Sequence, residues 1–348
     1  MKRQTAVLLG VVLYVPLVVY PPLRLISWLF EDLSGFFWIL LLLPNALIFP
    51  PYISRRVRAR LSRVLAVSLM TWYCLMIQLS LVVVLMELVR LWSPLNNTST
   101  AIISFAAWLI LAATSLYGAL NIKVHRLTIP NKRGTLGKSL IQISDVHIGT
   151  RSSWFLQRIV KKILSLEPDV VLITGDLVDA SSVDSTALSP LAELNAPVFF
   201  CTGNHERLEH CEDIVTWLQE HKVTVLRNQS VDLEPFQFIG LEDQDSADDV
   251  SNALAALEPK SDRYRVLLRH KPEGIERAVS WGVDLMLCGH THHGQIFPFG
   301  LIVKRTYNPY RGKHQFGQMT LYISPGTGTT GPLLRLGTRN EITLLQFV

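Results

Sequence analysis

The sequence predicts two parts: a membrane region of four transmembrane helices, and an α/β domain in which two β-sheets form a sandwich. Two observations predict this division. Residues 1–122 contain four apolar runs of about the ~20 residues that cross a bilayer. From residue 139 to 348, strand-like apolar runs alternate with amphipathic helical stretches, and the last part has short strands separated by Gly and Pro. Residues 123–138 are polar and are predicted to connect the two parts.

The charge distribution argues against binding of nucleic acid, and the cysteine content argues against a disulfide-stabilised protein. The net charge is +5, but residues 1–122 hold nine basic and three acidic residues, so the remainder is close to neutral. The basic character therefore belongs to the membrane region, and nucleic acid is not an expected partner. The four cysteines have irregular spacing and no C-x-x-C pair, which predicts reduced thiols rather than a disulfide framework.

The four apolar runs are predicted to anchor the chain in a bacterial inner or plasma membrane. They are Thr5–Leu23, Leu33–Tyr52, Val64–Met86 and Ala101–Asn121. Basic residues concentrate before the first run, between the second and third, and after the fourth, so the positive-inside rule places both ends in the cytoplasm. The spans hold almost no ionisable residues in their centres, which favours an anchor in the lipid bilayer; transport remains an alternative.

The α/β domain is organised around Val170–Thr174, a β-branched apolar run that stops at Gly175 and Asp176. Such a run is typical of a strand that is buried on both faces. The other predicted strands are Leu140–Ser144, Val198–Thr202, Thr224–Leu226, Gln237–Leu241, Arg265–Arg269 and Asp284–Cys288. The predicted helices between them are Ser153–Leu166, Thr186–Leu194, Glu212–His221, Ala247–Leu257 and Glu273–Ser280.

Five of these strand-like runs are followed directly by polar residues that can hold metals. These residues are Asp145 and His147; Asp176 and Asp179; Asn204, His205 and Glu206; His270; and His290 and His292. One such loop alone is weak evidence, but carboxyl ends of strands are where open α/β sheets build their sites. Oxygen and imidazole donors without a thiolate suit Mn, Fe or Zn. Two such cations need a shared anionic ligand, and Asp176 is the natural bridge.

The order of these motifs resembles one known family. D-x-H, G-D-x-x-D, G-N-H-E, a later His and G-H-x-H occur in the order found in calcineurin-like metallophosphoesterases, over residues 139–348. The resemblance implies two mixed β-sheets in a sandwich flanked by helices, two divalent metal ions and hydrolysis of phosphoric esters. The whole chain is also similar to bacterial membrane-anchored members of that family.

The resemblance also implies a role for each residue. One metal would be held by Asp145, His147, Asp176 and His292, and the other by Asp176, Asn204, His270 and His290. His205 would be the proton donor and would contact phosphate, with metal ligation as its competing role. Asp179 and Glu206 would orient the ligands.

Two further residues are candidates for substrate contact. Gly-His-Thr-His is usually followed by Gly-Gly-Gln in that subfamily, and here His293 replaces the first Gly. His293 is either a substrate contact or an exposed loop residue. Arg335, in a closing segment that also resembles the subfamily, could pair with a phosphate or be a surface charge.

The leading functional hypothesis is a membrane-anchored phosphodiesterase or pyrophosphatase with two metals. Some relatives cleave the pyrophosphate of UDP-2,3-diacylglucosamine, and a membrane location favours a lipid-linked substrate of that kind. Soluble nucleotides or phosphoproteins are the alternative substrates. The alternative outside enzymology is a signalling or scaffold protein with an inactive domain, and the presence of every expected ligand argues against it.

Overall fold

The computed structural model describes residues 15–30, 55–179, 183–208, 211–244 and 247–348. They divide into two compact units. One runs up to Tyr117 and includes Gly331–Leu334, and the other consists of Gly118–Thr330 and Arg335–Val348.

The first unit is helical in its described part. It contains a π-helix at Val15–Val19, α1 (Tyr20–Ser27), α2 (Arg55–Arg90) and most of α3 (Asn97–Leu120). Val18, Trp28, Met76, Val83 and other buried side chains pack together in this unit.

Two helical segments of the described chain, Val64–Arg90 and Asn97–Leu120, are long and apolar enough to cross a membrane. They contain the predicted third span and most of the predicted fourth. The predicted second span, Leu33–Tyr52, and most of the first, Thr5–Leu23, lie outside the described residues. A region of four transmembrane helices is therefore not confirmed.

The second unit contains twelve strands and six α-helices among its described residues, apart from the end of α3. The strands are β1 (Ile122–Ile129), β2 (Ser139–Ile143), β3 (Val170–Thr174), β4 (Val198–Cys201), β5 (Val223–Val225), β6 (Gln229–Leu233), β7 (Phe236–Gly240), β8 (Tyr264–Leu268), β9 (Leu285–Cys288), β10 (Gly312–Phe316), β11 (Met319–Ile323) and β12 (Asn340–Phe347). The helices are α4 (Ser153–Leu164), α5 (Asn204–Leu208), α6 (Cys211–Glu220), α7 (Ala247–Ala255), α8 (Ile275–Trp281) and α9 (Gly300–Thr306), with 3-10 turns at Ser185–Glu193 and His292–Gly294.

The strands form two mixed sheets of six strands each. The order is β1-β12-β2-β3-β4-β5 in the first sheet and β10-β11-β9-β8-β7-β6 in the second. In the first sheet β2, β3, β4 and β5 are parallel neighbours, and β12 is antiparallel to β2. In the second, β7, β8, β9 and β11 are parallel neighbours, and the two edge strands are antiparallel. The carboxyl ends of the central strands in each sheet therefore lie at one edge.

The core lies in three apolar layers, as expected for a sandwich flanked by helices. Leu172 of β3 and Phe238 of β7 belong to the layer between the sheets. Ile173, the next residue of β3, packs instead in the layer that includes Phe155 of α4, because successive strand residues point to opposite faces. A third layer joins the second sheet to α7 and α8. The predicted sandwich of two mixed sheets is thus confirmed, and β3 is buried on both faces.

The predicted connector differs from the structure at its start. Ile122–Ile129 forms β1 and pairs in parallel with β12. The strand looked polar in the sequence because it lies at a sheet edge, where Lys123 and Arg126 are exposed. Leu127 and Ile129 are buried and contribute to the core between the sheets.

Candidate metal centre

The five predicted loops come together at the carboxyl ends of β2, β3, β4, β8 and β9. The backbone turns sharply there, and several non-glycine residues have positive φ. They are Asp145 (52°), His147 (57°), Asp176 (51°), His290 (68°) and His292 (46°). Such conformations are disfavoured for L-residues and often occur at functional sites. Two glycines permit the close approach of these loops: a Cβ on Gly203 would lie 2.2 Å from Asp176 Oδ1, and one on Gly289 would lie 1.9 Å from Ser144 Oγ.

One group of side chains gathers around Asp145. Its Oδ1 lies 3.4 Å from Nε2 of His292. Nε2 of His292 lies 3.1 Å from Nε2 of His147, and the latter nitrogen is 4.0 Å from Oδ2 of Asp176. All four residues are buried.

A second group gathers on the other side of the same Asp176 oxygen. Nε2 of His270 lies 3.1 Å from Asp176 Oδ2 and 3.2 Å from Oδ1 of Asn204. Nδ1 of His290 lies 3.2 Å from Nε2 of His270. Oδ2 of Asp176 therefore faces both groups of side chains.

The donor set fits divalent cations. Three overlapping sets of ligand atoms, each within 4.8 Å of one another, occur among the described residues: Asp145, His147 and His292; His147, Asp176 and His205; and Asp176, His270 and His290. Buried imidazole nitrogens that face each other at 3.1 Å, as in His147 and His292, cannot both carry a proton there. A lone pair then points into the group, together with carboxylate oxygens, which is the arrangement that a cation requires.

The pKa shifts divide the buried histidines of the site into two kinds, lowered for His290 and His292 and raised for His147 and His270. Burial lowers the pKa of His292, and burial followed by the charge of His270 lowers the pKa of His290 to about 3, so both rings are neutral. Burial also lowers the pKa of His270, but the charge and hydrogen bond of Asp176, the charge of Asp145 and the hydrogen bond to Thr174 together outweigh it and raise that pKa to about 10. Without a metal, the positive charge opposite Asp176 is thus carried by His270.

Glu206 binds the backbone of two site loops. Its Oε2 accepts the N–H groups of Asp176 (2.9 Å) and Gly203 (2.8 Å), and its Oε1 accepts those of Leu177 (2.6 Å) and Val178 (3.0 Å). Burial, and next the charge of Asp176, raises the pKa of the Glu206 carboxyl to about 7, while the amides of Val178 and Gly203 oppose this shift. Glu206 orients the loop that carries Asp176.

Asp179 has a similar position beside a different ligand candidate. Its Oδ2 lies 3.4 Å from Nδ1 of His147, on the side of the ring away from the group. Its two oxygens also accept hydrogen bonds from the backbone N–H and the hydroxyl of Thr150. Oδ2 of Asp179 therefore lies beside Nδ1 of His147, while Nε2 of the same ring faces His292.

His205 differs from the other histidines in its exposure. Its side chain is 32% exposed, whereas that of His147 is 1% exposed and that of His270 is fully buried. Its backbone N–H donates to Asp176 Oδ1 at 2.9 Å, and its Nε2 lies 4.0 Å from Asp176 Oδ2. The ring therefore lies at the solvent side of the group.

Arg335 and His293 both donate hydrogen bonds to backbone carbonyls. Arg335 is only 1% exposed, and its Nη2 donates to the carbonyls of Pro325 and Gly328, both at 2.7 Å. The same nitrogen lies 3.1 Å from Nδ1 of His292. Arg335 is thus a buried residue rather than a surface charge, and the two carbonyls take the short hydrogen bonds of its Nη2.

His293 is half-buried, and its Nε2 donates to the Ile323 carbonyl at 3.0 Å. Burial lowers its pKa to about 4, so the ring is neutral. It is therefore not an exposed loop residue, and its contact with a substrate stays a prediction.

Sequence reasoning did not find Tyr307. Its hydroxyl lies 2.9 Å from Nε2 of His290, the nitrogen that points away from His270. Tyr307 follows α9 and belongs to no motif, so its only signal is the three-dimensional contact.

The comparisons with known proteins agree with this geometry. The family described as calcineurin-like phosphoesterase matches residues 138–294. The chain is 31% identical to an uncharacterized metallophosphoesterase of Campylobacter jejuni, over 68% of each chain. It is 33% identical to a transmembrane protein with metallophosphoesterase domain of Bos taurus, over 71% of this chain and 60% of the relative. It is 35% identical to phosphodiesterase YaeI of Escherichia coli, over 52% of this chain and 71% of the relative.

The family match includes all five loops of the candidate centre. The three relatives match 52–71% of the chain, and two of them are named as a phosphodiesterase and a transmembrane protein. The chain belongs to the calcineurin-like phosphoesterases, a family of metal-dependent phosphoester hydrolases.

Proposed function

We propose that this chain is a membrane-anchored phosphodiesterase with a two-metal centre. One ion would be held by Asp145, His147, Asp176 and His292, and the other by Asp176, Asn204, His270 and His290. The observation that carries the proposal is the position of Asp176 Oδ2, which is 3.1 Å from Nε2 of His270 and 4.0 Å from Nε2 of His147. A single carboxylate oxygen that lies between two sets of imidazole and oxygen donors suits a bridging ligand, and a cation would replace the proton that His270 carries.

Two divalent ions supply Lewis-acid polarisation of the phosphoryl group and a nucleophile derived from water. The residues of the chain provide the remaining functions. Asp145 and Asp176 supply the negative charge that balances the ions. His205 is exposed enough to meet a substrate and donates a proton to the leaving oxygen as the P–O bond breaks.

Ligation by His292 changes the role of its contact with Arg335. A guanidinium can only donate, so the 3.1 Å contact places the His292 proton on Nε2. Ligation through Nε2 instead requires the proton on Nδ1. Arg335 Nη2 then donates only to the carbonyls of Pro325 and Gly328, which it already contacts.

The membrane setting rests on two apolar helical segments and on relatives named transmembrane proteins. We infer that the chain crosses the membrane several times and that the second unit is cytoplasmic, as the distribution of basic residues predicts. A reporter fused after Val348 tests this orientation, and periplasmic signal would contradict it.

The substrate follows from the chemistry and the setting together. A phosphodiester or pyrophosphate attached to a lipid, such as UDP-2,3-diacylglucosamine, is the proposed class, and soluble nucleotides or phosphoproteins are the alternatives. A turnover screen of the full-length protein in detergent, with a UDP-sugar-lipid, a phospholipid and a nucleotide, separates them. Preference for the nucleotide would overturn the lipid proposal.

The central test of the metal centre is Asp176→Asn. An amide cannot neutralise two cations, so the variant should lose at least one ion per chain and nearly all turnover of bis(p-nitrophenyl) phosphate with added Mn. Metal content of the purified protein measures the first effect. The matched control is Asp169→Asn, at the opposite end of β3, where the carboxylate accepts the Ser139 N–H. Retention of both ions in Asp176→Asn would contradict the bridge.

A further inference from the structure

The segment between His292 and Tyr307 exposes an unusual number of apolar side chains. Phe297 is 65% exposed, Phe299 44%, Leu301 63% and Ile302 60%. We name residues 297–306, which include α9, the apolar loop. Neighbouring exposed side chains of this size on a soluble domain mark an interaction surface, whereas single exposed ones are ordinary.

The base of the apolar loop is fixed against the metal centre. On one side, the backbone N–H of Phe297 donates to the Leu336 carbonyl at 2.9 Å, and the N–H of Gln295 donates to the carbonyl of His292 at 2.9 Å. On the other side, the hydroxyl of Tyr307 lies 2.9 Å from Nε2 of His290. The two ends of the loop are thus held near the proposed ligands His292 and His290. The apolar side chains between these ends are exposed.

The chain segment that contains the apolar loop carries charge of one sign, although the acidic side chains of Asp243 and Glu273 act on Tyr307 at the end of the loop. Residues 285–340 contain six basic residues and no acidic residue. Lys304 and Arg305, in the last turn of α9, are exposed, and so is Arg311 soon after it. This is a strong local bias, because the remainder of the chain after residue 122 is close to neutral.

We propose that the apolar loop inserts into the interfacial region of an anionic phospholipid bilayer and docks the metal centre on it. Aromatic and aliphatic side chains next to basic ones are the composition of segments that lie in this region, and anionic headgroups attract the basic residues. Coverage by another protein would also need an acidic surface on that protein to match the exposed Lys304, Arg305 and Arg311. The chain also carries two segments that are able to span a bilayer, and these segments would keep the loop in the vicinity of a membrane.

Docking would bring the phosphodiester groups of membrane lipids close to the metal centre. The His290 and His292 side chains would lie close to the headgroup layer, where the phosphodiester of a membrane lipid is found. This inference deepens the proposed function and rests on its membrane setting, but insertion itself requires no catalysis.

The test uses full-length protein in nanodiscs with an environment-sensitive NBD label on Ile302→Cys, in a background where the partly accessible Cys74 and Cys211 are serine. Its emission should shift to the blue and be quenched by lipids with a nitroxide on the acyl chain. Quenching should be stronger with phosphatidylglycerol than with phosphatidylcholine alone. The matched control is a label on Glu258→Cys, whose side chain is 82% exposed, and it should not be quenched.

Two variants separate insertion from misfolding. Lys304→Glu/Arg305→Glu should lose the dependence on phosphatidylglycerol, and Leu136→Glu, an exposed apolar residue outside the loop, should not. Bound metal, measured in each variant, reports whether the domain is folded.

Equal solvent exposure of the labels at 302 and 258 would overturn the proposal. So would a blue-shifted label at 302 that nitroxide lipids do not quench, because protein would then cover the loop. Quenching of the label at 302 without turnover of a phosphodiester would support membrane docking, but it would count against the proposed hydrolase activity. Turnover without quenching would overturn docking alone.

Discussion

The Oε2 atom of Glu206 accepts the backbone N–H of Asp176 at 2.9 Å. The same carboxylate accepts the N–H of Gly203 at 2.8 Å, so one buried side chain ties the loop after β3 to the loop after β4. Leu177 and Val178 donate to the other oxygen. The backbone that presents the proposed bridging ligand is therefore held by a side chain from the next loop, two residues after Asn204.

Glu206→Gln should destabilise the protein and loosen metal binding. A glutamine has one acceptor oxygen, so two of the four backbone N–H groups would face an amide that also donates. Buried unsatisfied donors cost roughly 1–3 kcal/mol each, which predicts a loss of about 3 kcal/mol in the free energy of unfolding. Chemical denaturation of the purified protein measures it.

The matched control for this variant is Glu258→Gln, because that side chain is 82% exposed. It should leave the free energy of unfolding and the metal content unchanged. An equally small effect of Glu206→Gln would show that the four hydrogen bonds do not hold the Asp176 loop.

The central strands and the order of the site loops could be predicted from sequence because their signals are local. Val170–Thr174 is apolar throughout and ends at Gly175, and this alone indicates a buried strand followed by a turn. Parallel strands then bring Asp145, Asp176 and Asn204 to one edge. No knowledge of side-chain geometry is needed for that step.

What could not be predicted depends on contacts distant in the chain. β1 contains Lys123, His125 and Arg126 and so looked like part of a polar connector, but it pairs with β12 as an edge strand. Arginine is usually a surface residue, yet the guanidinium of Arg335 donates its hydrogen bonds to buried carbonyls of a neighbouring loop. Tyr307 reaches His290 across a helical segment that no motif marks.

His205→Ala should reduce turnover without removing the metals. General acids contribute about 10²–10⁴-fold, and the effect should be larger for an alkyl phosphodiester than for a p-nitrophenyl ester, whose leaving group needs little protonation. Steady-state kcat on both esters, with metal content measured in parallel, tests this.

His221→Ala provides the control for His205→Ala. His221 lies beside Ser185 and matches no site motif, so its loss should leave kcat unchanged. Loss of an ion in His205→Ala would favour the competing role of His205 as a ligand. An equal decrease on both esters would contradict its role as proton donor.

Arg335→Met should destabilise the protein and leave the KM for a soluble diester unchanged. Methionine is also long and unbranched, but it gives the carbonyls of Pro325 and Gly328 no donor. Hydrogen bonds to charged groups contribute about 1.5–3 kcal/mol each, so a loss of about 3 kcal/mol or more in the free energy of unfolding is expected. Arg277→Met, at an exposed position on α8, is the control. A raised KM with unchanged stability would instead support a substrate contact of Arg335.

Tyr307→Phe should weaken the binding of one metal ion. If Nδ1 of His290 faces the ion, Nε2 carries the proton and donates to the tyrosine hydroxyl, 2.9 Å away, which fixes the ring and its tautomer. Removal of such a partner typically lowers metal affinity by about 10–100-fold, so one of the two ions should need more free Mn for half-occupancy, while kcat at saturating Mn changes little. Calorimetric titration of the metal-free protein measures both affinities.

Tyr310→Phe is the control, since Tyr310 contacts Thr291 through its backbone carbonyl, which the substitution retains. If both tyrosine variants bound two ions as tightly as the parent, the hydroxyl would have no part in holding His290, and the neutral ring would be positioned by burial alone.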